Sequence, residues 1–519
     1  MEGKCIKLAV IELAKKRINS FLEGYRQNIA LLGRSKEEID FILENFILNE
    51  KYPDTVLLRI DGSYLEGKDI FKSAAYDVLS QYLDFYGHLD KLIIESSRYL
   101  SSTVNYIKET LKKNNFFFLD ILELINKFVN ESKKKCILVV KELQELATIF
   151  EHFYTDFSKF IILQRRCMVI LTSSKLREAK KILGRELNLL FGSFEIVYLE
   201  EEESTLESYL FLSNLLKPLN PEPYFIGFFL NLLSSNAIYY EIFADVIKQF
   251  YRDNSEDSIV DIIENTLYSN SSWIFQKFIN RIELIKERYR DFRQLLKLLI
   301  FISDGYIRKS DLAFLLHWDQ KGLASKLQKL IDSSNLENLG NIYKIPDSLF
   351  SFWLSKVFKF YLVYPSNRER RYLAFKEAVY EEIALFKEEF AKEKAQRILN
   401  LFSSFRGDTL LIGDNRVRLP RLDKIKTISY PEKRFNILIG EGEEIAFVGV
   451  KEDVTQEKDI LDFERITDPI KVRNLKKIFI SLGMLENSAR LVAKESKILL
   501  WDSEVVNKIL KLYHKPIFL

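Results

Sequence analysis

The sequence predicts a multi-domain α/β protein. Short apolar runs alternate with amphipathic segments through the first part of the chain, as a parallel sheet with helical crossovers requires. The length of 519 residues, at roughly 150 residues per domain, predicts about three to four domains. Hydrophobic residues make up 47% and charged residues 29%, a globular composition, while 18 glycines and 10 prolines are few enough to predict long helices with few glycine-built turns.

The elements follow in chain order. Apolar runs bounded by polar turns predict strands at Asn28 to Leu32, Thr55 to Ile60, Cys136 to Val140, Cys167 to Leu171 and Phe194 to Tyr198. Amphipathic spacing predicts helices at Ile70 to Tyr86 and Glu142 to Phe157 between them. From Ser204 to about Tyr289 the chain reads as nearly continuous helix, divided by Pro218, Pro221 and Pro223 because proline lacks the donor and clashes with the preceding turn. A compact unit from Phe292 to about Phe358 holds three short helices and a strand-like Ile342 to Ile345. Helices return from about Tyr372, followed by strands at Thr409 to Ile412, Phe435 to Ile439 and Ile445 to Val450. A helix near Val472 to Leu482 and strands at Ala489 to Val492 and Ile498 to Trp501 complete the prediction.

Composition narrows the function. The charge of 77 − 74 = +3 supplies no bulk field for nucleic acid or anionic membrane, so any basic site is local. Cys5, Cys136 and Cys167 lack CxxC spacing, which argues against a disulfide framework and a zinc site, and His88, His152, His317 and His514 form no ligand pattern. The N-terminus carries Glu2, Lys4 and Lys7 and no signal-peptide core, predicting a cytoplasmic protein. The uncharged stretch from Tyr224 to Tyr240 has Asn231, Ser234, Ser235 and Asn236 at its middle and reads as buried helices, not as a membrane span.

Gly33 ends an apolar strand ahead of an amphipathic helix, where a phosphate-binding loop would sit. A GxxxxGK[ST] loop needs a second glycine, a lysine for the phosphates and a hydroxyl for magnesium. Counting from Gly33, those places hold Glu38, Ile39 and Asp40, which would repel phosphate and neutralise nothing. The strand Cys136 to Val140 runs into Lys141 and Glu142, where an Asp-Glu pair would hold magnesium and polarise water, so Lys141 replaces the aspartate and Glu142 keeps the glutamate position. Thr172, Ser173 and Ser174 end the fourth strand, where a γ-phosphate sensor would lie. Gly33, Lys36 and Glu142 are therefore remnants of a nucleotide site, Lys36 being an alternative lysine for the phosphates.

The ordered strings NIALLG, LRIDGSYL, ILVVKELQEL, VILTSS, LLFGSFEIVYLE and YKIPDSLFSFWL resemble the prokaryotic ORC-like ATPases of AAA/STAND type. The resemblance covers most of the chain. It implies a P-loop NTPase-like parallel sheet over residues 1–203, a helical lid over 204–290, a winged helix-turn-helix over 291–360 and a restriction-endonuclease-like domain over 361–519. The family reads Asp-Glu-Phe-Gln-Glu-Leu where this chain has Lys141 to Leu146, and it carries a Gly-Gly-x-Pro lid segment where this chain has Ser235-Asn236-Ala237-Ile238.

In the implied winged helix, helix two is Lys309 to Leu316 and helix three Gln320 to Asp332. Leu323, Leu327, Leu330 and Ile331 take the inward spacing, leaving Lys321, Ser325 and Gln328 outward with Lys326 and Lys329 on a flank. Lys321, Lys326 and Lys329 are thus the candidate contacts to duplex DNA, diluted by Asp319 and Asp332. The alternative is a winged helix that only packs against neighbouring domains. The implied nuclease-like site requires an Asp and a Glu-x-Lys on adjacent strands; Asn436, Gly449 and Lys451 stand there, with Ala391 on the helix that often adds an acid. Lys451 is left without a metal to serve, its charge available to a partner.

The remaining clusters read as scaffold. Glu441, Glu443 and Glu444 with Gly440 and Gly442 form a solvated hairpin turn, and Glu200 to Glu203 a solvated lid start. Lys133 to Lys135 lead a strand, Arg368, Arg370 and Arg371 open an exposed helix, and Phe116, Phe117 and Phe118 belong to the core.

The expected protein is a cytoplasmic, catalytically inactive ATPase-like binding or scaffold protein with no cofactor and no metal, partnered by duplex DNA or another protein. One alternative is an ATP-dependent molecular switch using Mg-ATP through Lys36. The other is a structural interaction protein that binds neither nucleotide nor DNA.

Overall fold

The computed structural model describes residues 8–33, 35–50, 52, 54–62, 66–187, 192–199, 205–233, 236–412, 415–430, 435–442, 444–468 and 475–519. Cys5, the run Glu200 to Glu203, Ser235 and Glu443 lie outside them. The chain divides into two compact units, 7–202 and 203–519.

The first unit is built on strands β1 (Asn28–Leu32), β2 (Thr55–Asp61), β3 (Lys135–Lys141), β4 (Cys167–Ser173) and β5 (Phe194–Tyr198). All pair in parallel, in the order β2-β3-β4-β1-β5. Leu138 and Val140 on one face of β3 are as buried as Ile137 and Val139 on the other, which is why this strand reads as an unbroken apolar run. This is an open, all-parallel five-stranded α/β sheet with helices in its crossovers. Cys136 and Cys167 are register partners on β3 and β4, buried as free thiols.

The segment predicted as one helix from Glu142 to Phe157 is two, Leu143–Ile149 and Phe153–Leu163, separated by His152 at φ 57°. Phe150, Phe153 and Phe157 from both sides of the break surround Phe118, with ring centroids 5.5, 4.5 and 5.7 Å away. The basic turn before β3 also has a structural task, since Lys135 Nζ donates to the carbonyls of Phe21 (3.0 Å) and Leu22 (2.6 Å) that close the first helix, Leu8–Leu22.

The second unit opens with helices Thr205–Leu216, Pro223–Leu233, Ala237–Phe250, Glu256–Ile263 and Trp273–Arg288. Pro223 is the first residue of its helix, where its missing N–H would be unpaired in any case. Among the described residues no helix is long and apolar enough to cross a membrane. Helices Phe292–Ser303, Lys309–Leu316 and Gln320–Asp332 then lead into a hairpin of β6 (Glu337–Asn338) and β7 (Tyr343–Lys344). After the long helix Arg368–Ala391 come the hairpin β8 (Thr409–Ile412) and β9 (Asn415–Arg418), then β10 (Leu422–Tyr430), β11 (Phe435–Gly442), β12 (Ile445–Lys451), β13 (Leu475–Ser481) and β14 (Leu499–Asp502). The last five form one mixed sheet in chain order, antiparallel through β12 and parallel beyond it.

Two predictions fail in this sheet. The helix expected near Val472 to Leu482 begins outside the described residues, and from Leu475 it is strand β13, whose consecutive Ile478, Phe479 and Ile480 are all buried because the sheet is covered on both faces. The strand expected at Ala489 to Val492 lies in helix Asn487–Glu495. Ala489 and Ala493 are buried while Leu491 is 66% exposed, a four-residue repeat that no strand produces.

An ion pair and a strand pairing join the three-helix segment to the final sheet domain. Arg308 donates from Nε and Nη2 to the two carboxylate oxygens of Asp408, each at 2.7 Å, and Tyr513 Oη donates to Asp408 at 2.7 Å. Burial alone would raise the Asp408 carboxyl, but the hydrogen bonds from Arg308 and Tyr513 outweigh it and hold the group below its usual range. The tip of the β6–β7 hairpin is bonded to β8. Asn341 N donates to Thr409 O (3.2 Å), and Leu411 N to Leu339 O (3.2 Å). Gly340, at φ 106°, lies so close that a Cβ there would come within 2.0 Å of the Thr409 carbonyl.

Asp408→Asn is expected to destabilise the protein by about 2–4 kcal/mol at neutral pH, because it leaves the Arg308 charge with only the longer contact to Asp311, at 3.9 Å. A carboxyl depressed in the folded state contributes its stability above the unfolded pKa and loses it as the pH falls through the folded one. Thermal melts should therefore show the gap between wild type and Asp408→Asn narrowing below about pH 4.

Candidate functional site

In an open parallel sheet the carboxyl ends of the strands are where a ligand is received. Here β1 ends at Leu32, and helix Lys36–Ile42 begins only three residues beyond Gly33. Ser35 caps that helix, its Oγ accepting from Glu38 N at 3.2 Å. Gly33 N donates to Ser173 O at 3.1 Å, so its amide serves the scaffold. A Cβ on Gly33 would meet Ile39 Cγ1 at 3.1 Å, and Ile39 is buried, so an apolar side chain fills the space over the glycine. The positions counted for a phosphate loop are thus a first helical turn, with Ile39 turned inward and Asp40 turned to Lys141.

Lys141, at the end of β3, is the centre of this edge. Its Nζ lies 3.0 Å from both Asp40 Oδ1 and Glu44 Oε1. Glu44 also accepts from Arg59 Nε (3.1 Å) and Nη2 (2.8 Å), and the Arg59 amide donates to Asp77 Oδ2 at 3.2 Å. Burial acts to lower the Lys141 pKa, but Asp40 and Glu44 outweigh it and raise the group above its usual value. Glu44 is the mirror case: burial favours its neutral form, and Arg59 and Lys141 overcome that to hold it low. The expected repulsion of phosphate by Asp40 is therefore only part of the arrangement, since Asp40 is engaged by the lysine.

Lys36 is engaged as well, its Nζ 3.0 Å from Asp61 Oδ2 at the end of β2. Glu142 is buried and takes the left-handed conformation at φ 50°, a strained choice for glutamate. Its carboxylate accepts from Gln144 Nε2 (2.6 Å), Ser174 N (3.0 Å) and Ser174 Oγ (2.9 Å), while Gln144 Oε1 accepts from Ser173 Oγ (2.7 Å). Burial raises the Glu142 pKa, and these hydrogen bonds offset only part of the rise. Gly33, Lys36 and Glu142 thus do share one sheet edge, each bonded within the unit.

The second candidate surface is helix Gln320–Asp332. Leu323, Leu327, Leu330 and Ile331 are buried and Lys321, Ser325 and Gln328 exposed, as the spacing predicts. The two flanking lysines are drawn into local contacts. Lys326 Nζ stands 5.0 Å over the Trp318 ring, and Lys329 Nζ lies 2.9 Å from both oxygens of Asp291. The hydrogen bond from Lys329 holds Asp291 below its usual carboxylate range.

The third is the strand pair β11–β12, where the sequence placed Asn436, Gly449 and Lys451 in one pocket. Asn436 alternates with Phe435 and Ile437 and falls on the opposite face of the sheet from Gly449 and Lys451, the one-residue offset that reverses a strand's faces. A Cβ on Gly449 would come 2.6 Å from Phe479 Cδ2 and 3.0 Å from Phe463 Cδ2, so the position is closed to a carboxylate by aromatic packing. Lys451 is not available to a partner: it is 6% exposed, and its Nζ lies 2.6 Å from Asp459 Oδ2. Sequence reasoning missed Asp459. Its signal was the pattern Gln456-x-x-Asp459 ahead of an apolar-spaced helix, for Asp459 Oδ2 also accepts from Gln456 N at 2.8 Å in a capping box. Among the described residues, no group of three or more His, Cys, Asp or Glu side chains is arranged to hold a metal ion.

Lys141→Asp would place a third carboxylate beside Asp40 and Glu44. Its expected outcome is a lower melting temperature, by about 1–3 kcal/mol of lost stability, with no gain of ATP hydrolysis in a phosphate-release assay. Lys451→Ala should cost about 3–5 kcal/mol in chemical denaturation, because Asp459 is left buried and unpaired.

No sequence family and no curated protein matches the chain. Solved structures do. The chain is similar to a Walker-type ATPase of Pyrococcus abyssi at 17% identity, covering 66% of this chain and 95% of that one with a TM-score of 0.47. It is similar to the ORC1 protein of Aeropyrum pernix, solved in complex with DNA, at 10% identity over 67% of this chain and 91% of that one, TM-score 0.34. A DNA clamp loader delta protein of Bacillus subtilis matches at 13% identity over 75% of this chain and 97% of that one, TM-score 0.25.

Proposed function

We propose that this chain is an ATPase-like binding scaffold without ATPase or nuclease chemistry, which meets duplex DNA weakly through helix Gln320–Asp332. The observation that carries the reading is Lys141. At the position where a carboxylate would hold magnesium, a cation sits between Asp40 and Glu44, and a second cation brought beside it would be repelled at close range. The short Gly33 turn, filled by Ile39, supports the same reading.

In this reading residues 291–360 are a winged helix and the sheet β10 to β14 is a nuclease-like domain. The hairpin tip bonded to β8 takes no part in DNA contact, so the exposed face of helix Gln320–Asp332 does, with Lys321 as its most open cation and Lys326 beside it. Lys329 serves Asp291 instead.

Mg-ATP should leave the melting temperature unchanged, since a nucleotide bound only by the folded state would raise it by mass action. A shift that disappears in Lys36→Ala would return the chain to the switch reading. Binding to a DNA duplex should be sequence-independent, with a slope of about −2 in log affinity against log salt if two lysines each displace a counterion. Lys321→Ala with Lys326→Ala should flatten that slope. Unchanged DNA binding in the double variant would remove this helix from the account, and no binding to DNA at all would leave the purely structural reading.

A further inference from the structure

The 203–519 unit holds a partly open cavity of about 240 Å³ that none of the sites above uses. Its walls come from segments far apart in the chain: helix Pro223–Leu233, the turn after helix Phe292–Ser303, strand β7, the helical stretch from Ser348, the long helix Arg368–Ala391 and the carboxyl end of the last helix, Ser503–Leu512. An ordinary core closes such a junction with apolar side chains. This one is lined by Asn231, Ser351, Ser355, Lys344, Glu382 and His514 beside its apolar residues.

The polar lining is incompletely satisfied within the protein. Ser351 and Ser355, one helical turn apart, are only 9% and 6% exposed and line the cavity. Among the described residues no hydrogen bond is made by either hydroxyl, and neither is sealed from the cavity. Asn231 lines the same space, and its buried Oδ1 also has no partner among them. Leaving the Asn231 oxygen unpaired costs about 1–3 kcal/mol, a cost retained where such a group has a task.

The charges in the wall have a sign. Lys344, Lys356 and Lys511 face Asp304 and Glu382. Both carboxylates are already neutralised, Glu382 by Lys356 at 2.8 Å and Asp304 by Lys359 at 2.9 Å. Lys344, on β7, has no carboxylate partner among the described residues, so the cavity carries excess positive charge. His514 completes the wall in the left-handed conformation at φ 53°. Its ring is exposed where it borders the cavity, and the dehydration imposed by the surrounding side chains shifts its pKa below the usual value. Phe228, Phe386 and Leu512 supply the apolar sides.

We infer that this cavity is a binding site for a small hydroxylated organic anion of sugar-acid or sugar-phosphate size, its charge on Lys344 and its hydroxyls on Ser351, Ser355 and Asn231. The volume is below the ~300–1,000 Å³ of pockets that take drug-sized ligands, which sets the size class. A lysine ammonium serves phosphate or carboxylate as a point charge, so the same wall accepts either.

Calorimetry and thermal shift on the full chain test this with ribose 5-phosphate, gluconate, neutral ribose and inorganic phosphate at constant ionic strength. Ribose 5-phosphate, gluconate or both should stabilise the protein saturably, while ribose has no effect and inorganic phosphate binds at least tenfold more weakly. Lys344→Gln, and Lys344→Ala where it keeps a cooperative melt, should weaken the organic anion at least tenfold, and Ser355→Ala several-fold. Absence of binding by both organic anions, or binding unchanged in Lys344→Gln, would overturn the site. Equal affinity for inorganic phosphate would overturn the role given to the serines and Asn231.

Discussion

The pairing of Lys141 with Asp40 and Glu44 sets the arrangement of the parallel sheet's carboxyl edge. Carboxylates held partly out of water need a cation within hydrogen-bond reach, and here that cation is a basic side chain. With lysine at the end of β3, helix Lys36–Ile42 presents its acids to the strand itself. Arg59 then satisfies the remaining side of Glu44, and Asp77 receives the Arg59 amide. Each ionic partner is supplied by the chain, so the edge is held together by internal electrostatics.

The same logic recurs in the other unit. Lys451 is neutralised by Asp459 of the following helix, behind a Gly449 whose lack of a side chain makes room for Phe463 and Phe479. Arg308 and Asp408 form a two-point pair that Tyr513 completes. A bidentate guanidinium fixes orientation as well as distance, which is why the hairpin tip can add to β8 with its backbone in register. The hairpin's edge is thereby covered, and the outward face of helix Gln320–Asp332 stays open.

The cavity has the opposite character. Around Lys141, Lys451 and Arg308 the donors and acceptors close on one another. Around the cavity they do not: Asn231 Oδ1 is buried without a partner among the described residues, and Ser351 and Ser355 turn to the same space. Two strained non-glycine residues mark the contrast. Glu142 in the left-handed region is clamped by Ser174 and Gln144, whereas His514 in the same region presents its ring to open space.

The sequence by itself determined the elements whose signal is local. Consecutive apolar residues marked β1, β3 and β4, the leucine spacing gave the inward face of helix Gln320–Asp332, and Gly33 marked the end of β1. It failed at Ile478-Phe479-Ile480, because a strand buried on both faces and a buried helix look alike over a short apolar run. It also failed at Asn436, because a strand's two faces differ by one residue and only the packing of Leu438 against one core and Ile437 against the other decides between them. Tertiary structure alone decided where the charges went. Lys141 could be read as a lost aspartate but not as the partner of Asp40, and Lys451 as a stranded lysine but not as the partner of Asp459. Periodicity, proline and glycine act through neighbouring residues along the backbone, whereas an ion pair depends on distance through space, which exists only once the chain has folded.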